Sequence, residues 1–238
     1  MASVKALIGS ALGRFVFHDA SVVSIRDVAP RFRRVELAGP ALQGIRWEAG
    51  DKVQVFLPET GDMRTYTPLS WDSQKGTTAF LIYLHGEAPG AAWGRTLREG
   101  TQFQFFGPRR SLSLGDSPAP LLFFGDETSF GVAHALKQAH PKRDLTCVFE
   151  VTRREDCAEA LRELGFEGSD VERSAGDAHL AEVQERLKGV LHARPEARLV
   201  MTGKAQSIQA LRARLKSGGL PAPAQVKAYW SVGKTGLD

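Results

Sequence analysis

The 238 residues suffice for one large domain or two modest ones, each burying its own core. With 42% hydrophobic and 24% charged residues the composition is that of an ordinary globular protein. No apolar run approaches the ~18 residues that a membrane helix needs, so membrane insertion is not expected. Met1 to Leu12 holds one lysine and a short apolar stretch without a cleavage site, so export is not expected either. Cys147 and Cys157 lack metal-ligand spacing and read as reduced thiols of a cytoplasmic protein. The net charge of +4 is uneven: residues 204–238 carry six basic groups and one acid, the rest 25 basic and 26 acidic. That basic end fits a solvated helix face or a docking surface for an anion. Nucleic acid is not expected, because no aromatic interleaving or binding motif accompanies the charges.

Up to about residue 115 the periodicity is that of strands. Val22 to Val28, Arg33 to Leu37, Val53 to Leu57, Arg64 to Thr67, Thr78 to Leu84 and Gln102 to Phe106 are short and β-rich. Gly, Pro and Asp turns separate them, as in a small antiparallel barrel. A single helical interruption runs from Gly90 to Leu97.

Within this half, Arg64-Thr65-Tyr66-Thr67 sets a permanent phosphate partner, a flat ring and a hydroxyl near one another. These are three things a flavin needs, for its pyrophosphate, its isoalloxazine and its N5. The same run also fits an ordinary strand with Tyr66 half buried. The helix start after Pro89-Gly90 has free N–H groups that suit a phosphate, although a plain turn at Gly90 fits equally.

After Ser113–Pro120, a linker by composition, the period changes. Leu121 to Phe124 is a continuous apolar run, the mark of a strand buried on both faces. A helix from Thr128 to Ala139, a strand from Leu145 to Val151 and a helix from Glu155 to Leu164 follow. Asp170 to Arg173 and Ala178 to Leu191, then Arg198 to Met201 and Lys204 to Lys216, repeat the alternation. Alternating strands and helices predict a doubly wound parallel sheet, whose ligands bind at the carboxyl ends of its strands. Gly125-Asp126-Glu127-Thr128, Thr152-Arg153-Arg154 and Thr202-Gly203-Lys204 fall there. Gly125 to Thr128 is not a typical dinucleotide loop, since only one glycine precedes the helix, whereas Arg153 and Arg154 suit a 2′-phosphate at the end of a sheet strand. Helix capping by the acids and solvation of the arginines fit as well. His85 has no cysteine, carboxylate or second histidine at ligand spacing, so no metal site is expected.

Six segments in order, from about residue 20 to 236, give the chain a resemblance to the siderophore-interacting, FAD-binding proteins, a branch of the ferredoxin–NADP reductase-like flavoproteins. Ala29 to Leu42 is similar to that family's first barrel strands, and Arg64 to Thr67 to its R-x-Y-T motif. Leu84 to Trp93 resembles H-G-x-x-G-P-A-S-x-W, and Gly107 to Leu112 resembles G-P-R-G-S-F. Gly125 to Thr128 matches G-D-E-T, and Tyr229 to Gly233 matches Y-W-x-x-G. Three departures stand out: the His85 to Trp93 segment is one residue shorter, Ala91 or Ala92 replaces a serine, and Pro68-Leu69-Ser70 follows Thr67 where the family usually has a basic residue.

The resemblance implies an antiparallel FAD-binding barrel, residues 1–116, followed by an α/β NAD(P)H-binding-like domain, residues 117–238. It implies FAD held by Arg64, Thr65, Tyr66, Thr67, His85, Gly90, Ala91, Ala92, Trp93 and Trp230, with Tyr66 and Thr67 at the reacting ring. The implied activity is a monomeric cytoplasmic oxidoreductase, passing electrons from NADPH, NADH or ferredoxin to a ferric siderophore. In the wider reductase family the carboxyl edge of the parallel sheet holds NADPH or NADH, which makes Asp126, Thr128, Arg153, Arg154 and Gly203 the candidates for it. Lys204, Lys227 and Lys234 are the candidates for holding the anionic complex. A general flavin or ferredoxin-type reductase and a non-enzymatic siderophore carrier are the alternatives.

Overall fold

The protein is described by a computed structural model over residues 17–115 and 117–233. Lys234 and the N-terminal segment lie outside the described residues. The first half is an antiparallel sheet of seven strands: β1 (Phe17–Ala29), β2 (Phe32–Ala38), β3 (Lys52–Leu57), β4 (Asp62–Tyr66), β5 (Ser70–Asp72), β6 (Thr77–Tyr83) and β7 (Gln102–Arg109). Their order is β4-β3-β7-β1-β2-β6-β5. The alternation works as read: in β3, Val53, Val55 and Leu57 turn inward while Lys52, Gln54 and Phe56 lie between them. The inward residues meet Val22, Val35, Leu37, Phe80, Ile82 and Phe105 in one core. Gly61, at φ +73°, makes the tight turn between β3 and β4 that a side chain would strain. The sheet curls like a barrel but does not close, because β4 and β5 remain its two edges.

β5 was not foreseen; its three residues are too short to show a period. The helical interruption is α1 (Pro89–Thr96), with Pro89 in its first turn, where a missing N–H costs nothing.

The second half is a parallel sheet of β8 (Leu121–Asp126), β9 (Leu145–Val151), β10 (Asp170–Glu172), β11 (Arg198–Lys204) and β12 (Gln225–Trp230), in the order β10-β9-β8-β11-β12. α2 (Phe130–Ala139) and α3 (Arg154–Leu164) pack on one face, α4 (Leu180–Ala193) and α5 (Ala205–Ser217) on the other. β8 shows why its sequence is apolar throughout. Leu121 and Phe123 enter the core under α2 and α3, and Leu122 and Phe124 the core under α4 and α5. The sheet is doubly wound, as its alternating elements predict.

One expectation needs correction here. The helix expected from Thr128 begins at Phe130, because Glu127–Ser129 form a 3-10 turn capped by the Asp126 side chain. Tyr229 and Trp230 end β12, which pairs in parallel with β11.

The two sheets are joined by packing and charge. Val28, Ala29 and Phe32 of the first sheet enter the core under α2 and α3, where Phe32 stacks on Phe130 at 5.2 Å. Arg26 grips Glu163 with two bonds of 2.7 and 2.6 Å, and Arg31 meets Asp156 at 2.9 Å.

Candidate functional site

β4 and the start of α1 bring Arg64, Tyr66, Gly90 and Trp93 together. The Tyr66 hydroxyl donates to the Gly90 carbonyl at 3.4 Å, and the Tyr66 ring lies 5.6 Å from that of Trp93. On its other contact, Tyr66 stacks parallel to Phe80 at 5.8 Å. Burial pushes the Tyr66 phenol above its ordinary pKa, so it stays protonated. A Cβ at Gly90 would stand 3.1 Å from the Tyr66 hydroxyl and 3.4 Å from Arg64 Cγ, so a side chain there would need Tyr66 to give by a few tenths of an ångström. Arg64 lies across the same corner, donating to the Met63 carbonyl at 2.8 Å and to Asp62 at 3.0 Å.

At the helix start, the Ala91 and Ala92 amides are bonded to the Ala88 carbonyl, at 2.9 and 3.0 Å. Helix geometry leaves Gly90 N–H outside the intrahelical ladder. Ala91 is buried and Ala92 exposed, so the position of the expected serine offers no hydroxyl. Thr65 is exposed on the opposite side of β4, and Thr67 follows the strand. A guanidinium, an unbonded amide and two aromatic rings at one corner fit the phosphate and flat ring of FAD.

His85 stacks on Tyr83 at 4.9 Å, near Glu127, Arg95, Arg31 and Arg173, which places it at the junction of the two sheets. Burial lowers its pKa, keeping the imidazole neutral at pH 7. Among the described residues, no group of three or more His, Cys, Asp or Glu could hold a metal ion.

The carboxyl edge of the parallel sheet gathers a second set. Asp126 accepts from Thr128 N–H at 2.9 Å and from Trp230 Nε1–H at 2.7 Å. Gly203, at φ +98°, passes directly beneath, and a Cβ there would lie 2.5 Å from Asp126 Oδ2. Arg153 and Arg154, expected to meet a 2′-phosphate, are engaged by carboxylates: Arg153 by Glu155 and Asp156, Arg154 by Asp170. Lys204 is likewise held, 3.1 Å from Asp177. Lys227 is half-buried in β12, opposite Thr202.

Arg173 was missed. It follows β10 and donates to Glu127 at 3.0 and 3.2 Å and to Thr152 at 2.8 Å, with its guanidinium 5.8 Å from the Trp230 ring. Its one local cue, an arginine just past a sheet strand, was spent on Arg153 and Arg154.

An antiparallel sheet set against a doubly wound parallel sheet is the two-domain fold of the ferredoxin reductase-like flavoproteins. Residues 59–112 match the siderophore-interacting FAD-binding domain, which is the family that the sequence motifs resemble. Over 122 residues the chain is 30% identical to the mycobactin import ATP-binding/permease protein IrtA of Mycobacterium tuberculosis, a match covering 47% of this chain and 14% of that protein. It is 22% identical to the NADPH-dependent ferric-chelate reductase of Escherichia coli, over 90% of this chain and 92% of that one.

Among solved structures, a siderophore utilization protein from T. fusca superposes with a TM-score of 0.72 at 22% identity, covering 94% of this chain and 96% of its own. The ferredoxin reductase of carbazole 1,9a-dioxygenase superposes with a TM-score of 0.73 at 15% identity, covering 90% and 69%. At these identities the solved structures establish the fold.

Proposed function

We propose that the chain is an FAD-dependent reductase of ferric siderophores, with residues 1–116 as the FAD-binding domain and 117–238 as the nucleotide-binding-like domain. The observation that carries this reading is the convergence of Arg64, Tyr66, Gly90 and Trp93 inside the matched segment 59–112. Arg64 exchanges its contacts with Asp62 and the Met63 carbonyl for the pyrophosphate, a stronger charge-assisted partner. Gly90 N–H donates to the same phosphates from the start of α1. Tyr66, Trp93 and Trp230 would border the flavin and His85 and Ala92 line the remainder, while Thr65, on the opposite side of β4, and the buried Ala91 support the corner from behind. The Thr67 hydroxyl, which meets Tyr229 in this structure, would be the group to hold the reactive edge of the flavin at N5.

Bound FAD supplies the conversion of a two-electron donor into single-electron transfers to chelated Fe(III). Hard oxygen donors hold Fe(II) far less well than Fe(III), so reduction releases the iron without any ligand from the protein. The donor is NADPH, NADH or a small carrier such as ferredoxin, and Lys204, Lys227 and Lys234 attract the anionic ferric complex. The name of the Escherichia coli relative supports a ferric chelate as electron acceptor. A monomer in the cytoplasm completes the reading, supported by two free, buried cysteines, Cys147 and Cys157, whose burial keeps them as thiols.

The test is anaerobic bleaching of the purified protein's flavin, followed in the visible with NADH, NADPH and reduced ferredoxin in turn. Bleaching by at least one donor is the expected result. A protein that carries no flavin would leave the non-enzymatic siderophore carrier as the reading.

A further inference from the structure

Three carboxylates and one guanidinium meet where β8, β9 and β10 end. Asp126, Glu127 and Glu150 are buried, with relative exposures of 0, 3 and 0%. Three buried carboxylates around one arginine do not all ionise without a large desolvation cost. The geometry ranks them. Glu127 takes two bonds from Arg173 Nη1, together with the Thr152 N–H and the Tyr83 hydroxyl. Glu150 has His179 Nε2 at 2.8 Å and the Ser207 hydroxyl at 2.9 Å, with Arg173 Nη2 at 3.5 Å. Asp126 is served least by the arginine, with Nη2 3.7 Å away. It depends on the Thr128 amide, the Thr128 hydroxyl and the Trp230 indole.

These contacts set up a choice of proton position. The Thr128 hydroxyl lies against Asp126 Oδ1, whereas Trp230 donates to Oδ2. A proton shared between Oδ1 and the Thr128 oxygen removes the charge that strengthens the indole bond at the other oxygen. Gly203 leaves room beneath for the carboxylate and little else.

We propose that Asp126 is a proton-controlled latch on Trp230. Ionised, it pins the indole through a charge-assisted hydrogen bond; protonated against Thr128, it loosens the indole and the end of β12. Burial, and next the charge of Glu127, raise the Asp126 carboxyl to about 6, so the latch works near neutral pH. Several charged or titratable groups face it. They are Glu127 in the 3-10 turn, Arg173 after β10 and Tyr229 from β12, and behind these Glu150 from β9 with His179 before α4, and Tyr83 from β6 on Glu127. The sign is fixed by the raised value: the native state holds this proton in a range where the unfolded chain has released it. Acid therefore relieves the cluster, while rising pH restores the pinned indole. The consequence for the flavin, though not the latch itself, rests on the reading that Trp230 borders the isoalloxazine.

The test follows the Trp230 indole N–H resonance of the flavin-bound protein in 1H–15N spectra from about pH 4.5 to 8, a window spanning ordinary Asp and His titrations. Trp230→Phe identifies the resonance among those of the four tryptophans. The expected result is a single titration with a midpoint near 6. Asp126→Asn abolishes it, and Thr128→Val, which removes a donor to the ionised carboxylate, moves the midpoint upward. A resonance that does not titrate would overturn the proposal. So would a midpoint unchanged in Thr128→Val, or one kept in Asp126→Asn and lost in His179→Asn. The visible flavin spectrum, recorded in the same samples, separates the two readings. If the indole titrates while the flavin does not respond, the latch stands and the contact of Trp230 with the isoalloxazine fails.

Discussion

The Tyr83 hydroxyl, at the end of β6 in the antiparallel sheet, donates to Glu127 Oε1 at 3.2 Å in the first turn of the parallel sheet. Glu127 is held in turn by Arg173, so this single phenol ties the two sheets through a buried ion pair. A hydrogen bond to a charged group is worth about 1.5–3 kcal/mol. Tyr83→Phe keeps the ring stack on Phe32 and loses that bond together with the hydroxyl's contact to Thr152. Its thermal unfolding midpoint should fall by roughly 3–10 °C, from the usual scaling for a chain of this size. An unchanged midpoint would mean that the two sheets are held by the Phe32–Phe130 packing and the surface ion pairs alone.

Arg64→Ala should weaken flavin retention by about 10- to 150-fold, because it deletes one charge-assisted phosphate contact of about 1.5–3 kcal/mol. Flavin released by heat from the unaltered protein should run as FAD. Full occupancy in the variant, or release of FMN, would displace the pyrophosphate from the corner between β4 and α1.

Thr67→Ala separates binding from reactivity. Loss of one neutral hydrogen bond near N5 is worth about 0.5–1.5 kcal/mol, a slowing of roughly 2- to 10-fold in flavin reduction. FAD content should not change. If occupancy and rate fall together, the threonine serves the fold of the strand end.

Arg153 and Arg154 supply a test of the dinucleotide site. Both are paired with carboxylates of α3 and β10 but keep more than half of their side chains exposed. Replacing both with serine should raise the KM for NADPH and leave that for NADH nearly unchanged. An unchanged ratio of kcat/KM values would remove them from the site and favour a protein donor.

Much of this architecture was legible because its signals are local. The switch from period-two strands to alternating strands and helices near residue 115 follows from which faces are buried, and β9 falls where its apolar run places it. The corner of Arg64, Tyr66 and Gly90 was legible through motif order, since two short segments bracket a helix start. The carboxylate cluster was not. Asp126 and Glu150 sit on two strands and Arg173 just past a third, and only the parallel register brings these ends together. β12 was obscured by its lysine: Val226, Ala228 and Trp230 alternate with Lys227 and Tyr229, and the local basic charge read as a docking surface.

The most direct measurement takes the flavin-bound protein, reduces it anaerobically, and adds a ferric siderophore in the presence of a colorimetric chelator specific for Fe(II). The expected result is return of the oxidised flavin absorbance with two Fe(II) trapped per flavin, since each reduced flavin gives up two electrons and each iron accepts one. A flavin that stays bleached while the ferric complex remains intact would contradict the assignment of this chain as a ferric-siderophore reductase.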